Sequence, residues 1–151
     1  MSTFAPLPQN EPIKTVIKAA FDADLDIEGG WGYDTQAPLI IKALPEDHSK
    51  EQLQHMLASM RCYLEMHMTL PKEKRYGSIN LNEKHRRKEG TLESVTYSVE
   101  AMKESDYERF INEYKEGYGK SDFDMNDHFR RRKAATLRRD ITVVFDISAL
   151  E

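Results

Sequence analysis

The chain has 151 residues, which predicts one domain, 1–151, large enough to fold without a metal or a disulfide. Apolar residues make up 39% and charged residues 32%, and the net charge of −4 weakens a nonspecific DNA-binding interpretation. The single cysteine, Cys62, excludes an intrachain disulfide, and no apolar run approaches the roughly 18 residues of a membrane span. With no secretory signal visible at the N-terminus, these features predict a cytoplasmic protein without a membrane partner.

The N-terminal third contains one clear helix and one ambiguous segment. Residues 1–9 have no periodicity and are expected to form a loose arm. Asn10 can cap a helix whose apolar stripe runs from Ile13 to Ala20. Residues 21–28 alternate apolar and acidic side chains, which favours a short strand, whereas continuity with the preceding stripe favours more helix.

A buried strand and a long helix come next. Residues 38–44 are nearly continuous apolar sequence between two prolines, which predicts a strand buried on both faces and central in its sheet. Ser49 and Gln52 form a capping-box pattern that begins a helix running to about Met68.

Residues 76–87 and 91–102 predict a hairpin with a three-residue loop at 88–90. That loop would place Leu81 opposite Tyr97 and Ile79 opposite Val99, so that all four side chains share one face, with Gly90 at positive φ. The first strand is the more polar, which predicts that it forms an edge of the sheet.

The C-terminal third predicts two helices and a strand. A second capping-box pattern at Ser105 begins a helix that stops at Gly117 and Gly119. A weakly amphipathic helix is expected at about 125–139 and a last strand at 140–148.

Without the N-terminal helix and the helix before the last strand, the predicted order is β-α-β-β-α-β. This order is typical of the ferredoxin-like α+β sandwich with a four-stranded antiparallel sheet. The fold name follows from element order alone, so it predicts no activity.

Two basic clusters are candidate anion-binding sites, because arginine forks suit phosphate and carboxylate. One lies at the hairpin tip and the other on the weakly amphipathic helix, where three arginines would share a face. The candidate anion-binding residues are Lys84, Arg86, Arg87, Lys88, Arg130, Arg131 and Arg138. The segment from Asp22 to Glu28 is acidic. The alternative is therefore that the basic clusters pair with this segment, either within the chain or between subunits.

Trp31 and Tyr33 flank Gly32 and are candidate walls of a ligand pocket, although aromatic residues are more often part of the core. Asp122, Asp124 and Asn126 resemble the start of a calcium loop, but the required Gly and Glu are missing, so helix capping explains them better. No catalytic residue, cofactor or metal site is predicted.

The leading hypothesis is therefore a non-enzymatic binding or interaction module, expected to be a homodimer, with an anionic partner such as an acidic protein surface. One alternative is a small-molecule-binding protein or enzyme, with an aromatic and methionine-lined pocket between sheet and helices. The other alternative is a nucleic-acid-binding accessory protein.

Overall fold

The computed structural model describes residues 6–151, without the side chains of residues 73, 77 and 78. Within these residues the chain forms four α-helices and one five-stranded sheet. In chain order the elements are α1 (Ile13–Phe21), β1 (Ile27–Gly29), β2 (Leu39–Ile41), α2 (Lys50–Thr69), β3 (Tyr76–Glu89), β4 (Leu92–Lys103), α3 (Glu104–Gly117), α4 (Met125–Ala135) and β5 (Leu137–Asp146). Short 3-10 helices follow α2 and β5.

The strand order is β1-β2-β5-β4-β3, and the β2–β5 pair is parallel while the other pairs are antiparallel. The predicted α+β class is confirmed, but the four-stranded antiparallel sheet is wrong on two counts. The alternating acidic segment ends in the additional edge strand β1. In addition, the sheet is mixed, because β5 is antiparallel to β4 but parallel to its other neighbour, β2.

β2 lies inside the sheet, as its apolar sequence predicts, and Leu39 and Ile41 are completely buried. It is shorter than the predicted 38–44, because Lys42 to Leu44 are exposed. The segment before β1 keeps the predicted alternation: Leu25 and Ile27 are buried, and the acidic side chains between and around them are exposed.

β3 is an edge strand, as predicted, but the predicted hairpin register is wrong. Leu81 lies opposite Val99, and Ile79 lies opposite Ala101. A two-residue turn at Gly90-Thr91 joins the strands, with Gly90 at φ +63°, and an irregularity between Glu83 and His85 adds one residue to β3. This bulge restores the phase, so the apolar side chains share one buried face despite the different register.

The helix boundaries were predicted unevenly. The Ser49–Gln52 capping box of α2 is confirmed, with both reciprocal hydrogen bonds present. The Ser105 cap is wrong, since α3 begins at Glu104 directly after β4, and Lys103 provides no side-chain cap. α4 ends at Ala135, four residues early, because β5 already begins at Leu137.

The main core lies between the sheet and helices α1 and α2. It includes the completely buried side chains of Ile17, Leu57 and Tyr97. The N-terminal arm also contributes, since Leu7 is 5% exposed and belongs to this core. The expected loose arm is therefore corrected for residue 7, while residues 1–5 lie outside the described part of the chain.

Candidate functional site

Each of the seven basic residues predicted to bind anions forms an ion pair with a carboxylate of the same chain. At the hairpin the pairs are Lys84–Asp140, Arg86 with Glu83 and Glu93, Arg87–Glu89 and Lys88–Glu151. Elsewhere they are Arg130–Asp127, Arg131 with Asp127 and Glu113, and Arg138–Glu100. The clusters of basic sequence therefore do not form uncompensated basic clusters in space.

The predicted shared face of Arg130, Arg131 and Arg138 is wrong, because the helix ends before Arg138. Arg138 lies on β5 opposite Glu100 and pairs with it at 3.0 Å. Arg131 instead joins α4 to α3, and its hydrogen bond, together with one from His128, lowers the pKa of Glu113 to about 2. The acidic segment is not the partner of these arginines, since Asp22 and Asp24 pair with lysines of α1.

Arg86 belongs to a buried polar network on the inner face of the hairpin. Its Nη1 donates to Gln54 Oε1 and to Glu93 Oε1, each at 2.6 Å, and Gln54 donates to the same carboxylate at 2.8 Å. Gln54 on α2 and Glu93 on β4 are both buried. Their hydrogen bonds with each other and with Arg86 join α2 to the hairpin. Its hydrogen bonds within the chain indicate a structural role for Arg86.

Trp31 and Tyr33 lie on the loop between β1 and β2, and this loop runs beside β5 before β2 begins. The amide of Val144 donates to the carbonyl of Gly32 at 2.8 Å, and Gly32 has φ +80°. A Cβ on Gly32 would lie 2.7 Å from the carbonyl oxygen of Val144, so this close approach requires glycine. Trp31 is 2% exposed and belongs to the core, whereas Tyr33 is half-buried.

Two charged residues of α2 lie beneath this loop. Ala58, Arg61, Cys62 and Glu65 form a stripe at helical spacing, and all four are buried. Arg61 donates to the carbonyls of Trp31 at 3.2 Å and Thr142 at 3.1 Å, and its guanidinium lies 4.3 Å from the Tyr33 ring centroid. Arg61 thereby joins the helix, the loop and β5.

Tyr33 and Glu65 form the centre of the site. The Tyr33 hydroxyl donates to Glu65 Oε2 and accepts a hydrogen bond of 2.9 Å from the amide of Leu7. Burial raises the pKa of the Glu65 carboxyl, although the Tyr33 hydrogen bond and the charges of Arg61 and Arg139 act in the opposite direction. Within residues 6–151, Glu65 Oε1 and Arg61 Nε are buried and have no hydrogen-bond partner.

A pocket of about 280 Å³ opens at these residues, and we call it the Glu65 pocket. Arg61, Glu65 and Ile141 are its buried lining residues, whereas Asp140 and Thr142 are exposed. The complete lining is Pro6, Tyr33, Arg61, Glu65, Arg139, Asp140, Ile141 and Thr142. Trp31 does not line it but, together with Leu7, lines a separate cavity of about 180 Å³.

Sequence reasoning identified Tyr33 but missed Arg61, Glu65 and Arg139. A signal for the first two was present, because two charged residues interrupt an otherwise apolar helical stripe. Arg139 was assigned to a helix, and only its position on β5 brings it to the pocket.

Comparison of the chain with protein-family models, with curated proteins and with solved structures finds no match. Among the described helices, none is long and apolar enough to cross a membrane. In residues 6–151, no group of three or more His, Cys, Asp or Glu side chains is placed to hold a metal ion.

Proposed function

We propose that this protein is a binding module for a small polar ligand, and that the Glu65 pocket is its binding site. The observation that carries the proposal is Glu65 itself, which is 2% exposed, lines the pocket and has one oxygen without a hydrogen-bond partner in the described chain. An unsatisfied buried carboxyl oxygen is costly, and a ligand that donates to it would remove that cost.

The surroundings of Glu65 support ligand binding further. A concave site with a few convergent polar groups and a carboxyl of perturbed pKa is the usual form of a ligand site. Arg61 and Arg139 add positive charge to the same wall, which suits the anionic partner expected from the sequence. The proposal thus combines two hypotheses from the sequence, a binding module with an anionic partner and a small-molecule-binding protein. Of the residues at this pocket, the sequence analysis identified only Tyr33.

Cys62 favours binding over covalent catalysis. It lies beside Arg61 on α2 and is completely buried. Burial raises the pKa of its thiol to about 12, so the reactive thiolate is scarcely populated at neutral pH. A buried, reduced thiol also fits the proposed cytoplasmic location.

We propose in addition that two copies of the chain associate through β3. This strand is fourteen residues long and forms an edge of the described sheet. An apolar groove of about 340 Å³ lies between it and α2, lined by residues that include Met56, Met60 and Ile79. Long open edges promote pairing with another strand, and an adjacent apolar groove adds surface to bury.

Thermal unfolding of the full chain, with pooled small polar metabolites, tests the proposed pocket. At least one pool should raise the midpoint, because a ligand that binds only the folded state stabilises it. Glu65→Gln should abolish that rise, whereas Glu51→Gln, an exposed position on the same helix, should leave it intact. No rise with any pool, or an equal rise in Glu65→Gln, would refute the proposal.

A further inference from the structure

The Glu65 pocket presents one pole of each charge. Glu65 supplies the acidic group, and Arg61 and Arg139 supply the basic groups. The remaining acidic lining residue, Asp140, pairs with Lys84 at 2.7 Å, so its charge is compensated outside the pocket. A ligand with a single charge would match only one of these poles.

The two arginines have different roles. Both terminal nitrogens of Arg61 donate to backbone carbonyls, so Arg61 is a fixed part of the wall. Arg139 is half-buried on β5 and lines the pocket. A guanidinium has five N–H donors, so Arg139 can bind a ligand carboxylate beside any partner it has within the chain.

Glu65 is suited to an ammonium group. Its Oε2 already accepts from Tyr33, which leaves Oε1 for one further donor. Burial raises the pKa of this carboxyl, and a cation placed beside it would favour the ionised form. An ammonium is both a hydrogen-bond donor and such a cation.

The size of the pocket limits the ligand. An engineered cavity of about 150 Å³ holds benzene, so a pocket of about 280 Å³ has room for roughly ten non-hydrogen atoms. We propose, on the basis of the proposed function, that the ligand is a small zwitterion of amino-acid size, with its ammonium on Glu65 and its carboxylate on Arg139.

The test compares three forms of the same skeleton on the full chain by isothermal titration. The natural amino acids are screened first, and each one that binds is compared with its deaminated acid and its decarboxylated amine. For leucine these are 4-methylpentanoate and 3-methylbutylamine. We expect at least one amino acid to bind about tenfold or more tightly than either counterpart, because each counterpart lacks one of the two charged groups that are proposed to contact Glu65 and Arg139.

Two variants assign the poles. Glu65→Gln should bind the amino acid and the deaminated acid alike, and Arg139→Gln should bind the amino acid and the amine alike. Exposed neighbours on the same elements, Glu51→Gln and Arg138→Gln, should retain the discrimination of the unmodified protein. If a pocket variant fails to fold by circular dichroism, the comparison of the three forms on the unmodified chain still decides.

The outcomes separate this inference from the function on which it rests. Binding of the acid or the amine as tightly as the amino acid would overturn the zwitterion while leaving a small-ligand pocket. Binding of some other metabolite with no amino acid bound would do the same. If neither the amino acids nor the metabolite pools bind, the zwitterion and the proposed function fail together.

Discussion

The Tyr33 hydroxyl joins three parts of the chain that are far apart in sequence. It accepts from Leu7 in the N-terminal segment and donates to Glu65 on α2. The sequence predicts Tyr33 as a pocket wall from an aromatic pair around glycine, but it gives no partner for it. That partner depends on Gly32 lying against Val144, a contact across 112 positions that no local pattern encodes.

Tyr33→Phe should lower the free energy of unfolding by about 1–3 kcal/mol, because it leaves the Leu7 amide and Glu65 Oε2 without this hydrogen-bond partner. Urea denaturation of both proteins measures the difference. The matched control is Tyr63→Phe, since the Tyr63 side chain is 43% exposed, and an exposed change of this kind usually costs less than about 0.5 kcal/mol. An equal loss of unfolding free energy in the two variants would show that the hydrogen bonds of the Tyr33 hydroxyl do not stabilise the fold.

The raised pKa of Glu65 predicts a pH dependence of known sign. Between about 4.3, the ordinary value for Glu, and the raised pKa, the folded protein retains a proton that the unfolded chain has released. The free energy of unfolding should therefore fall as pH rises through this window, and Glu65→Gln should lack this component. Urea denaturation of the protein and the variant across this pH range measures it.

Glu113 provides a control of opposite sign, because its pKa is lowered to about 2. Its stabilising contribution should be lost as pH falls through the region between its ordinary pKa and 2, and Glu113→Gln should remove that component. If the unmodified protein instead gained stability relative to Glu65→Gln as pH rises through the pH window of Glu65, Glu65 would be stabilised as a carboxylate in the folded state, which would contradict the prediction.

At the scale of elements, strong local patterns were predictive and weak ones were not. α2 has a capping box and a long apolar stripe, and both its type and its start are as predicted. α4 has few apolar residues, so its end was set too late and Arg138 and Arg139 were assigned to the wrong element. The hairpin was predicted with the correct buried face but the wrong register, because a turn and a bulge that compensate each other leave the alternation unchanged.

Ile41 tests whether β2 is a core element. The side chain is completely buried, so Ile41→Ala should lower the free energy of unfolding by about 2–5 kcal/mol. Ile40→Ala is the matched control on the opposite face, where the side chain is only half-buried, and its loss should be smaller. Guanidinium denaturation measures both, and a loss below about 1 kcal/mol for Ile41→Ala would place β2 outside the core.

At the scale of the whole molecule, the sequence predicted the class of the fold but not its sheet. The apolar sequence of β2 indicates that the strand lies inside the sheet, but it does not indicate which strand lies beside it. The parallel pairing of β2 with β5 was therefore not predictable from β2 alone. The Glu65 pocket could not be predicted from the sequence for the same reason. It forms only where β5, α2 and the loop after β1 meet, and their adjacency is a property of the tertiary structure.

The proposed dimer is tested by sedimentation of the full chain at high micromolar concentration. We expect a mass twice the 17.6 kDa of the monomer. Met60→Glu should shift the protein toward monomer, because it places a charge in the apolar groove beside β3, whereas Gln36→Glu at an exposed loop position should not. A monomer throughout the concentration range would remove this proposal without affecting the pocket.

The central claim, that the Glu65 pocket binds a small polar ligand, is tested most directly by mapping amide chemical shifts of the isotope-labelled chain during titration with the metabolite pools. The account predicts saturable shifts concentrated at Tyr33, Arg61, Glu65 and Arg139, which line the pocket. It also predicts that these shifts disappear in Glu65→Gln. Saturable shifts confined to the hairpin tip at 84–88, or no shifts with any pool, would contradict it.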